Sequence, residues 1–248
     1  MFAVTSQGDP RGRVVVVSPH LDDGVLSLGA AIASWARLGA HLVLLTVLGG
    51  DPESLAPTRG WDRRAGFETE GDAARARREE DRAACAVLGA SPVWLPFGSV
   101  DYERHADDEE VFDAVGSAVE GADTVLLPGS PLTHADHAWL TRILVERSLP
   151  CERLGFYAEQ PYTYRDGATK ELPPAPGWLR DAVGSPMVFV PIRVAARHRL
   201  AKLRAIRRYR SQLGLLALNR RAGAPLLGLL WSEARRGGEA VAWVSGRR

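Results

Sequence analysis

Apolar runs alternate along the chain with segments of helical periodicity, and this pattern predicts the fold class. Five runs rich in β-branched residues or leucine indicate buried strands, at 13–18, 41–48, 91–97, 123–129 and 153–159. Segments between them indicate helices, at 24–38, 68–88, 107–120 and from about 134. Strands that alternate with helices are typical of an α/β fold: a Rossmann-like, doubly wound, mostly parallel sheet with helices on both faces.

The length of the chain favours one large domain. A chain of 248 residues can build a substantial core, and one domain fits this length better than two small ones. We expect a single domain over residues 1–248, with its core from about 13 to 213. Residues 214–248 are expected to extend it by a C-terminal helix and a final strand at 239–245.

The composition of the chain limits which binding partners and which cellular location are expected for the protein. Lys and Arg number 31 against 30 Asp and Glu, a net charge of +1, so no nucleic-acid partner is expected. No signal-peptide pattern and no run of about 18 apolar residues is present, so we expect a cytoplasmic protein without a membrane span. The two cysteines, Cys85 and Cys151, lack the spacing of a disulfide framework or a thiolate zinc site. A homo-oligomer is compatible with these data.

Two polar clusters follow two of the predicted strands. The sequence "PHLDD" comes directly after the strand at 13–18, and "THADH" comes shortly after the strand at 123–129. Ligands of open α/β sheets bind beyond the carboxyl ends of the strands, so we expect the two clusters to face one site. The candidate residues are His20, Asp22, Asp23, His134, Asp136 and His137.

These residue types suit metal-assisted hydrolysis of an amide. Two imidazoles and one carboxylate with an open fourth position form a catalytic zinc site. A second carboxylate is a candidate general base, and a further histidine can stabilise the oxyanion or protonate the leaving group. Thr133 and Asp136 form a T-x-x-D capping pattern, which predicts a helix that starts after Thr133. The alternative is that Asp22 and Asp23 are only helix caps.

The same motifs resemble a known family. "SPHLDDGVLSLG" resembles the PHxDD signature of the LmbE-like, or PIG-L, zinc-dependent N-deacetylases, and "HADH" resembles their second motif. "RREEDRAACAVLGA" is similar to their Arg- and Glu-bearing helix, and "AIRRYRSQ" to their C-terminal S-Q element. The resemblance covers about residues 14–213. Gly24 replaces a frequent Glu, and Tyr209 replaces a frequent His, which leaves the substrate open.

The resemblance implies a role for each motif residue. It implies that His20, Asp23 and His137 bind Zn²⁺. It also implies that Asp22 is the general base, that His134 stabilises the oxyanion or acts as an acid, and that Asp136 orients an imidazole. The family removes acetyl groups from N-acetylglucosamine units on inositol conjugates, thiol precursors, antibiotics and glycolipids.

Further residues are candidates for binding the substrate. Gly49 and Gly50 open a loop at 49–67, where they either let the backbone approach a sugar or only form a turn. Arg78 corresponds to an arginine that lies near the pocket in the family. Tyr157, Glu159 and Gln160 end a strand and are candidate lining residues. Four aromatic residues are candidates for sugar stacking, although packing explains them equally well: Trp61, Phe67, Trp178 and Trp231.

The predicted function is therefore zinc-dependent hydrolysis of an N-acetyl or N-acyl group on an amino sugar of the N-acetylglucosamine type, free or conjugated. Antibiotic or glycan biosynthesis is the expected context. One alternative is an amidase that acts on a thiol or peptide conjugate. An alternative of another class is a catalytically silent module that binds a sugar or nucleotide. The basic segment 193–210 is predicted to be a helix packed on the core. The alternative is that this segment binds nucleic acid or an anionic lipid surface.

Overall fold

A seven-stranded sheet forms the centre of the computed structural model, which describes residues 8–102, 107–165, 171–217 and 226–244. The strands are β1 (Arg13–Ser18), β2 (His41–Thr46), β3 (Ala90–Trp94), β4 (Ala122–Ser130), β5 (Cys151–Ala158), β6 (Val190–Pro191) and β7 (Ala240–Val244). Their order across the sheet is β3-β2-β1-β4-β5-β7-β6. The first five strands are parallel, whereas β7 is antiparallel to both β5 and β6. The predicted fold class is confirmed.

Helices cover both faces of this sheet in the described parts of the chain. They are α1 (Asp23–Arg37), α2 (Gly60–Ala65), α3 (Glu70–Leu88), α4 (Asp108–Val119), α5 (Ala135–Val145), α6 (Tyr162–Arg165), α7 (Gly177–Val183), α8 (Ala196–Ile206), α9 (Arg210–Ala217) and α10 (Leu226–Arg235). A short 3₁₀ helix spans Val100–Tyr102. None of these helices has the length and hydropathy needed to cross a lipid bilayer.

The unbroken valine run of β1 reflects burial on both faces of the sheet. Val14 and Val16 pack in the apolar layer of α1, α3 and α8, and Val15 and Val17 pack in the layer of α4 and α5. All four side chains are 0% exposed. Alternate residues of a strand point to opposite faces, so a strand covered on both sides is apolar at every position.

The strand order places the ends of β1 and β4 side by side. Connections from β1 run towards β2 and β3 on one side, and the chain returns to β4 on the other side of β1. The register pairs Val14 with Thr124 and Val16 with Leu126 in parallel. This topological switch point is where ligands bind in open α/β sheets, and it lies at the carboxyl ends of both strands.

The C-terminal segments are connected to the core by buried ion pairs. Lys202 of α8 is fully buried and donates to Glu233 and Glu239 at 2.7 Å each. The predicted final strand is confirmed as β7, although Ser245 lies outside the described residues. The basic segment predicted as one helix is divided, because α8 ends at Ile206 and α9 begins at Arg210.

Candidate metal centre

Three potential ligand atoms meet between the ends of β1 and β4. His20 Nδ1, Asp23 Oδ2 and His137 Nε2 lie 3.1 Å from one another along every edge of the triangle. Metal–ligand bonds of about 2.0–2.1 Å in a tetrahedral site would give edges of about 3.3–3.4 Å. The spacing and the donor types therefore fit a divalent metal ion such as zinc. His134 also belongs to the group, because donor atoms of the three histidines lie within 4.8 Å of one another.

The turn after β1 holds the aspartates without using Asp22 as a cap. Asp22 occupies the N-cap position of α1 but makes no capping hydrogen bond through its side chain. The Ser18 hydroxyl accepts from the N–H of Gly24 at 2.9 Å and donates to the carbonyl oxygen of His20 at 2.6 Å. The Asp23 carboxylate accepts from the N–H of His20 at 2.9 Å. The capping alternative is therefore wrong for Asp22, whose carboxylate is left for other chemistry.

The helix after β4 begins differently from the sequence prediction. Thr133 is not its cap; His134 is the N-cap, and the Nδ1 atom of His134 accepts from the N–H of Asp136 at 3.2 Å. The imidazole thus replaces the hydroxyl as the acceptor at the helix terminus. Because Nδ1 is an acceptor there, a neutral His134 ring carries its proton on Nε2.

Each of the other two histidines is oriented by a carboxylate. His20 Nε2 lies 2.9 Å from Asp136 Oδ2, and His137 Nδ1 lies 2.5 Å from Glu159 Oε1. Glu159 also accepts from the N–H of Leu132 at 2.8 Å. These contacts hold a proton on one nitrogen of each ring, which leaves the opposite nitrogen as the one that would bind a metal ion at the triangle.

Glu159 is a candidate lining residue from the sequence, but the sequence analysis missed its role as the carboxylate behind His137. It directly follows β5, whose carboxyl end lies beside that of β4. The rule that selected residues after β1 and β4 applies equally to β5. The sequence feature that could have predicted this role is a carboxylate directly after an apolar strand.

Burial and neighbouring charges separate the pKa values of the two adjacent aspartates. Burial, reinforced by the Asp23 charge, raises the pKa of Asp22 to about 7. Burial also acts to raise the pKa of Asp23, but His137 and His20 outweigh it and hold that pKa well below its ordinary value. Asp23 is therefore ionised at neutral pH, whereas Asp22 can exchange a proton near neutral pH.

The histidines differ in the same way. Burial disfavours protonation of His20 and His137, but their carboxylate partners raise the pKa of His20 to about 9 and that of His137 to about 10. Burial and the two neighbouring imidazoles lower the pKa of His134 to about 4. Two rings thus sit in a strongly negative environment that attracts a cation, and the third ring stays neutral.

A cavity of about 300 Å³ opens onto this centre. It is lined by His20, Asp22, Asp23, His134 and Asp136, and His137 lies fully buried behind them. Its other walls include Gly49, Gly50, Trp61, Asp62, Arg64, Glu70, Arg77, Asp101, Tyr102, Tyr162, Gln212 and Leu216. The glycine loop is therefore at the cavity, where Gly50 has a left-handed φ of 69°.

Arg78 and Tyr157, which the sequence suggested as substrate-binding residues, do not line this cavity. Arg78 donates to the carbonyl oxygens of Gly49 and Gly50, at 3.3 and 2.5 Å, and so supports the loop from behind. Tyr157 is 0% exposed and donates its hydroxyl to Val17 O at 2.9 Å. The arginine of α3 that faces the cavity is Arg77, which pairs with Asp62.

The fold and site define an α/β protein with a His- and Asp-rich metal-type centre at the switch point of its sheet. A family model described as "PIG-L: GlcNAc-PI de-N-acetylase" matches residues 15–148. The chain therefore belongs to the PIG-L family, and the resemblance read from the PHLDD and HADH motifs is confirmed.

Relatives in this family differ in activity. The chain is 36% identical over 144 residues to 2'-N-acetylparomamine deacetylase of Streptomyces fradiae, a match that covers 51% of this chain and 49% of that protein. It is 39% identical over 105 residues to 4-oxalmesaconate hydratase of Pseudomonas putida, covering 42% of this chain and 38% of the hydratase. The chain thus spans about half, or less, of the length of these curated relatives.

A solved structure extends the likeness to nearly the whole chain. A triple mutant of a deacetylase from the teicoplanin biosynthetic pathway superposes with a TM-score of 0.70 at 25% identity. The superposition covers 93% of this chain and 97% of that chain.

Proposed function

We propose that this protein is a zinc-dependent N-deacetylase that hydrolyses the acetamide of an amino sugar or its conjugate. The observation that carries the proposal is the triangle formed by His20, Asp23 and His137, whose ligand atoms lie 3.1 Å apart. Beside it, the carboxylate of Asp22 is not used in a capping hydrogen bond. Two imidazole nitrogens, one carboxylate and a neighbouring base are the groups that metal-assisted amide hydrolysis requires.

His20, Asp23 and His137 are the proposed zinc ligands, and His134 is excluded from the set by its tautomer. A bond from Nε2 of His134 to a metal would move the ring proton to Nδ1, which already accepts the N–H of Asp136. Asp136 and Glu159 hold the rings of His20 and His137 in the ligating orientation. A zinc ion bound there would lower the pKa of a water molecule and polarise the amide carbonyl.

The chain's own residues then move the protons. Asp22 accepts a proton from the attacking water, because its raised pKa makes it a base that works near neutral pH. The Nε2–H group of His134 donates a hydrogen bond to the amide oxygen as negative charge develops on it. Asp22 returns its proton to the nitrogen of the leaving amine, which completes release of acetate.

The proposed substrate is an N-acetylated amino sugar of antibiotic biosynthesis. Two relatives support this assignment, one named for 2'-N-acetylparomamine and one for the teicoplanin pathway. The open cavity beside the triangle supplies the room that a sugar ring needs. A cytoplasmic location, a single domain and a homo-oligomeric state stay predictions from the sequence.

The test is to supply zinc to the protein and to measure acetate and primary amine released from 2'-N-acetylparomamine and from N-acetylglucosamine. Asp22→Asn is expected to lower kcat by about 10²–10⁴-fold with full zinc binding, since it removes the base but no ligand. Asp181→Asn, an exposed change on α7, is the matched control and keeps full activity. Activity that survives in Asp22→Asn would contradict the proposed role of this residue.

The identity to the hydratase favours one competing function, addition of water to a carbon–carbon double bond. The same zinc-loaded protein is therefore assayed with 4-oxalmesaconate, the compound named for that relative. Loss of the enoate absorbance without acetate release from any sugar would establish the hydratase and overturn the deacetylase. Cleavage of a thiol or peptide conjugate without release of acetate would favour the amidase. Binding of a sugar without turnover would favour the catalytically silent binding module.

A further inference from the structure

Four aromatic residues are candidates for sugar stacking from the sequence, and the structure separates them by location. Among the described residues, Trp61 is the one of the four that lines the cavity of the metal centre. Phe67 lies under the guanidinium of Arg77, Trp178 packs beside the core of the α4 and α5 layer, and Trp231 is 59% exposed on α10. Trp61 itself belongs to neither apolar cluster formed by the described residues. Core packing therefore does not explain its position.

The indole of Trp61 is held by polar contacts at its edge. Its Nε1–H group donates to Gln212 Oε1 at 2.6 Å, and its backbone N–H donates to Asp101 Oδ2 at 3.1 Å. The guanidinium of Arg64 lies over one face of the ring, 5.2 Å from its centroid. The polar edge of the indole is thus satisfied inside the protein, and the ring does not need water to complete its hydrogen bonding.

Gln212 is itself fixed by a frame that joins two separate motifs. Tyr209 donates to Asp81 at 2.5 Å, and Ser211 donates to Glu80 through its N–H at 2.9 Å and its hydroxyl at 2.7 Å. Residues 209–212 of the S-Q element are therefore fastened to the acidic positions of α3. Gln212 is 6% exposed, so its amide presents one fixed acceptor to Trp61.

We infer that Trp61 is the specificity-determining platform on which the ring of the amino sugar stacks, an inference that rests on the proposed deacetylase function. One face of a pyranose carries mainly C–H groups, and the face of the indole opposite Arg64 would attract such weakly positive groups. An indole whose N–H is already bound by Gln212 loses little conformational entropy when a sugar binds. Trp61 would thereby select cyclic amino sugars that present the acetamide to the metal centre.

The test separates the aromatic face from mere bulk. Trp61→Phe keeps an aromatic face and Trp61→Leu keeps only apolar volume, and both are combined with Asp22→Asn so that the substrate is not consumed. The dissociation constant is measured by calorimetry with whichever probe the wild type turns over better, 2'-N-acetylparomamine or N-acetylglucosamine. Trp61→Leu is expected to weaken binding about tenfold, or ~1.4 kcal/mol, and Trp61→Phe less than about threefold.

Two further variants and one independent measurement complete the design. Gln212→Leu removes the acceptor of the indole N–H and is expected to weaken sugar binding while Trp61 is intact. Trp231→Ala removes an indole from the surface of α10 and is expected to change nothing. Zinc affinity, measured by competition with a chromophoric chelator, is expected to be the same in all variants. A change in zinc affinity as large as the change in sugar affinity would mean a general structural loss and overturn the inference.

Failure of the inference and failure of the proposed function give different results. Equal sugar affinity in Trp61→Leu and Trp61→Phe, with deacetylation intact in the wild type, overturns the platform alone. Absence of both turnover and binding of the two sugars in the zinc-loaded wild type overturns the proposed function, and the platform with it. In the wild-type background, Trp61→Leu is expected to lower kcat/KM mainly through a higher KM.

Discussion

The Nδ1 atom of His20 lies 3.1 Å from the Nε2 atom of His137, although the two residues are 117 positions apart. Two imidazole nitrogens at this distance repel each other when both present lone pairs, and a metal ion or a shared proton between them would relieve that repulsion. Carboxylates occupy the far nitrogen of each ring, which directs both lone pairs to the shared point.

Replacement of Glu159 by Gln is expected to lower zinc affinity by about 10–100-fold, the usual effect of losing a carboxylate behind a ligating histidine. The amide can still accept the N–H of His137, but it supplies no negative charge. Competition with a chromophoric chelator measures the change. Glu152→Gln, at an exposed position on β5, the strand that precedes Glu159, is the matched control. Equal zinc affinity in both variants would show that Glu159 does not support the metal centre.

Two substitutions of His134 are expected to separate capping from catalysis. Asn is a good N-cap residue, so His134→Asn keeps an acceptor for Asp136 N–H, whereas His134→Ala is expected to destabilise the protein by about 0.5–2 kcal/mol. Both lose the Nε2–H donor, and both are expected to lower kcat by about 10²–10³-fold. Urea unfolding and acetate release measure the two effects. A His134→Asn variant with normal kcat would leave the histidine a capping role only.

Ser18→Ala is expected to destabilise the protein by about 1–2 kcal/mol, because it removes the acceptor for the buried N–H of Gly24 and the donor to His20 O. The same loss loosens the turn that carries the two aspartates, so kcat falls as well. Ser34→Ala, on the half-buried side of α1, is the control in the urea titration. Identical midpoints for the two variants would argue against a capping role for Ser18.

The buried cluster around Lys202 predicts a pH dependence of stability. Burial, reinforced by Glu239, raises the pKa of Glu233 to about 7 despite the opposing charges of Lys202 and Arg236. The folded protein therefore binds more protons than the unfolded chain between pH ~4.5 and ~7. This contribution to the unfolding free energy is fully present below that range, and it is lost as the pH rises through 7.

Glu233→Gln imitates the protonated side chain and removes this titration. Relative to the variant, the wild type is expected to lose roughly 2–3 kcal/mol of unfolding free energy between pH 5 and pH 8.5. Urea unfolding at both pH values measures the difference, and the exposed change Glu152→Gln is expected to follow the wild type. A difference of the opposite sign would mean that Glu233 is ionised throughout.

The strands and the position of the site follow from the local pattern of the sequence. The boundaries of the first five strands lie within three residues of those predicted, because short apolar runs bounded by turn residues mark strands in the sequence. The PHLDD and HADH motifs were placed together because each follows a predicted strand, and parallel strands bring their carboxyl ends to one edge.

Side-chain direction on a given element was less accessible to the sequence. Arg77 and Arg78 are neighbours on α3 separated by about 100° of rotation, and the packing of α3 decides which of them faces the cavity. Tyr157 lies near the end of β5 and Glu159 directly follows that strand. The carboxylate of Glu159 contacts His137, whereas the hydroxyl of Tyr157 donates to Val17 O. His134 became the N-cap in place of Thr133, since the helix starts one residue later than the capping pattern predicted.

The sequence by itself determined the α/β architecture and the six polar residues after β1 and β4, because hydrophobic periodicity and strand-end position are local properties of the chain. Only the tertiary structure decided that Glu159 contacts the ring of His137 and that Gln212 accepts from the indole N–H of Trp61 at the cavity. It also decided that Ser18, and not Asp22, accepts from the N–H of Gly24 at the start of α1. Each of these contacts depends on the rotation of a helix or the bend of a turn against a distant element, and packing energy over the whole core sets those angles.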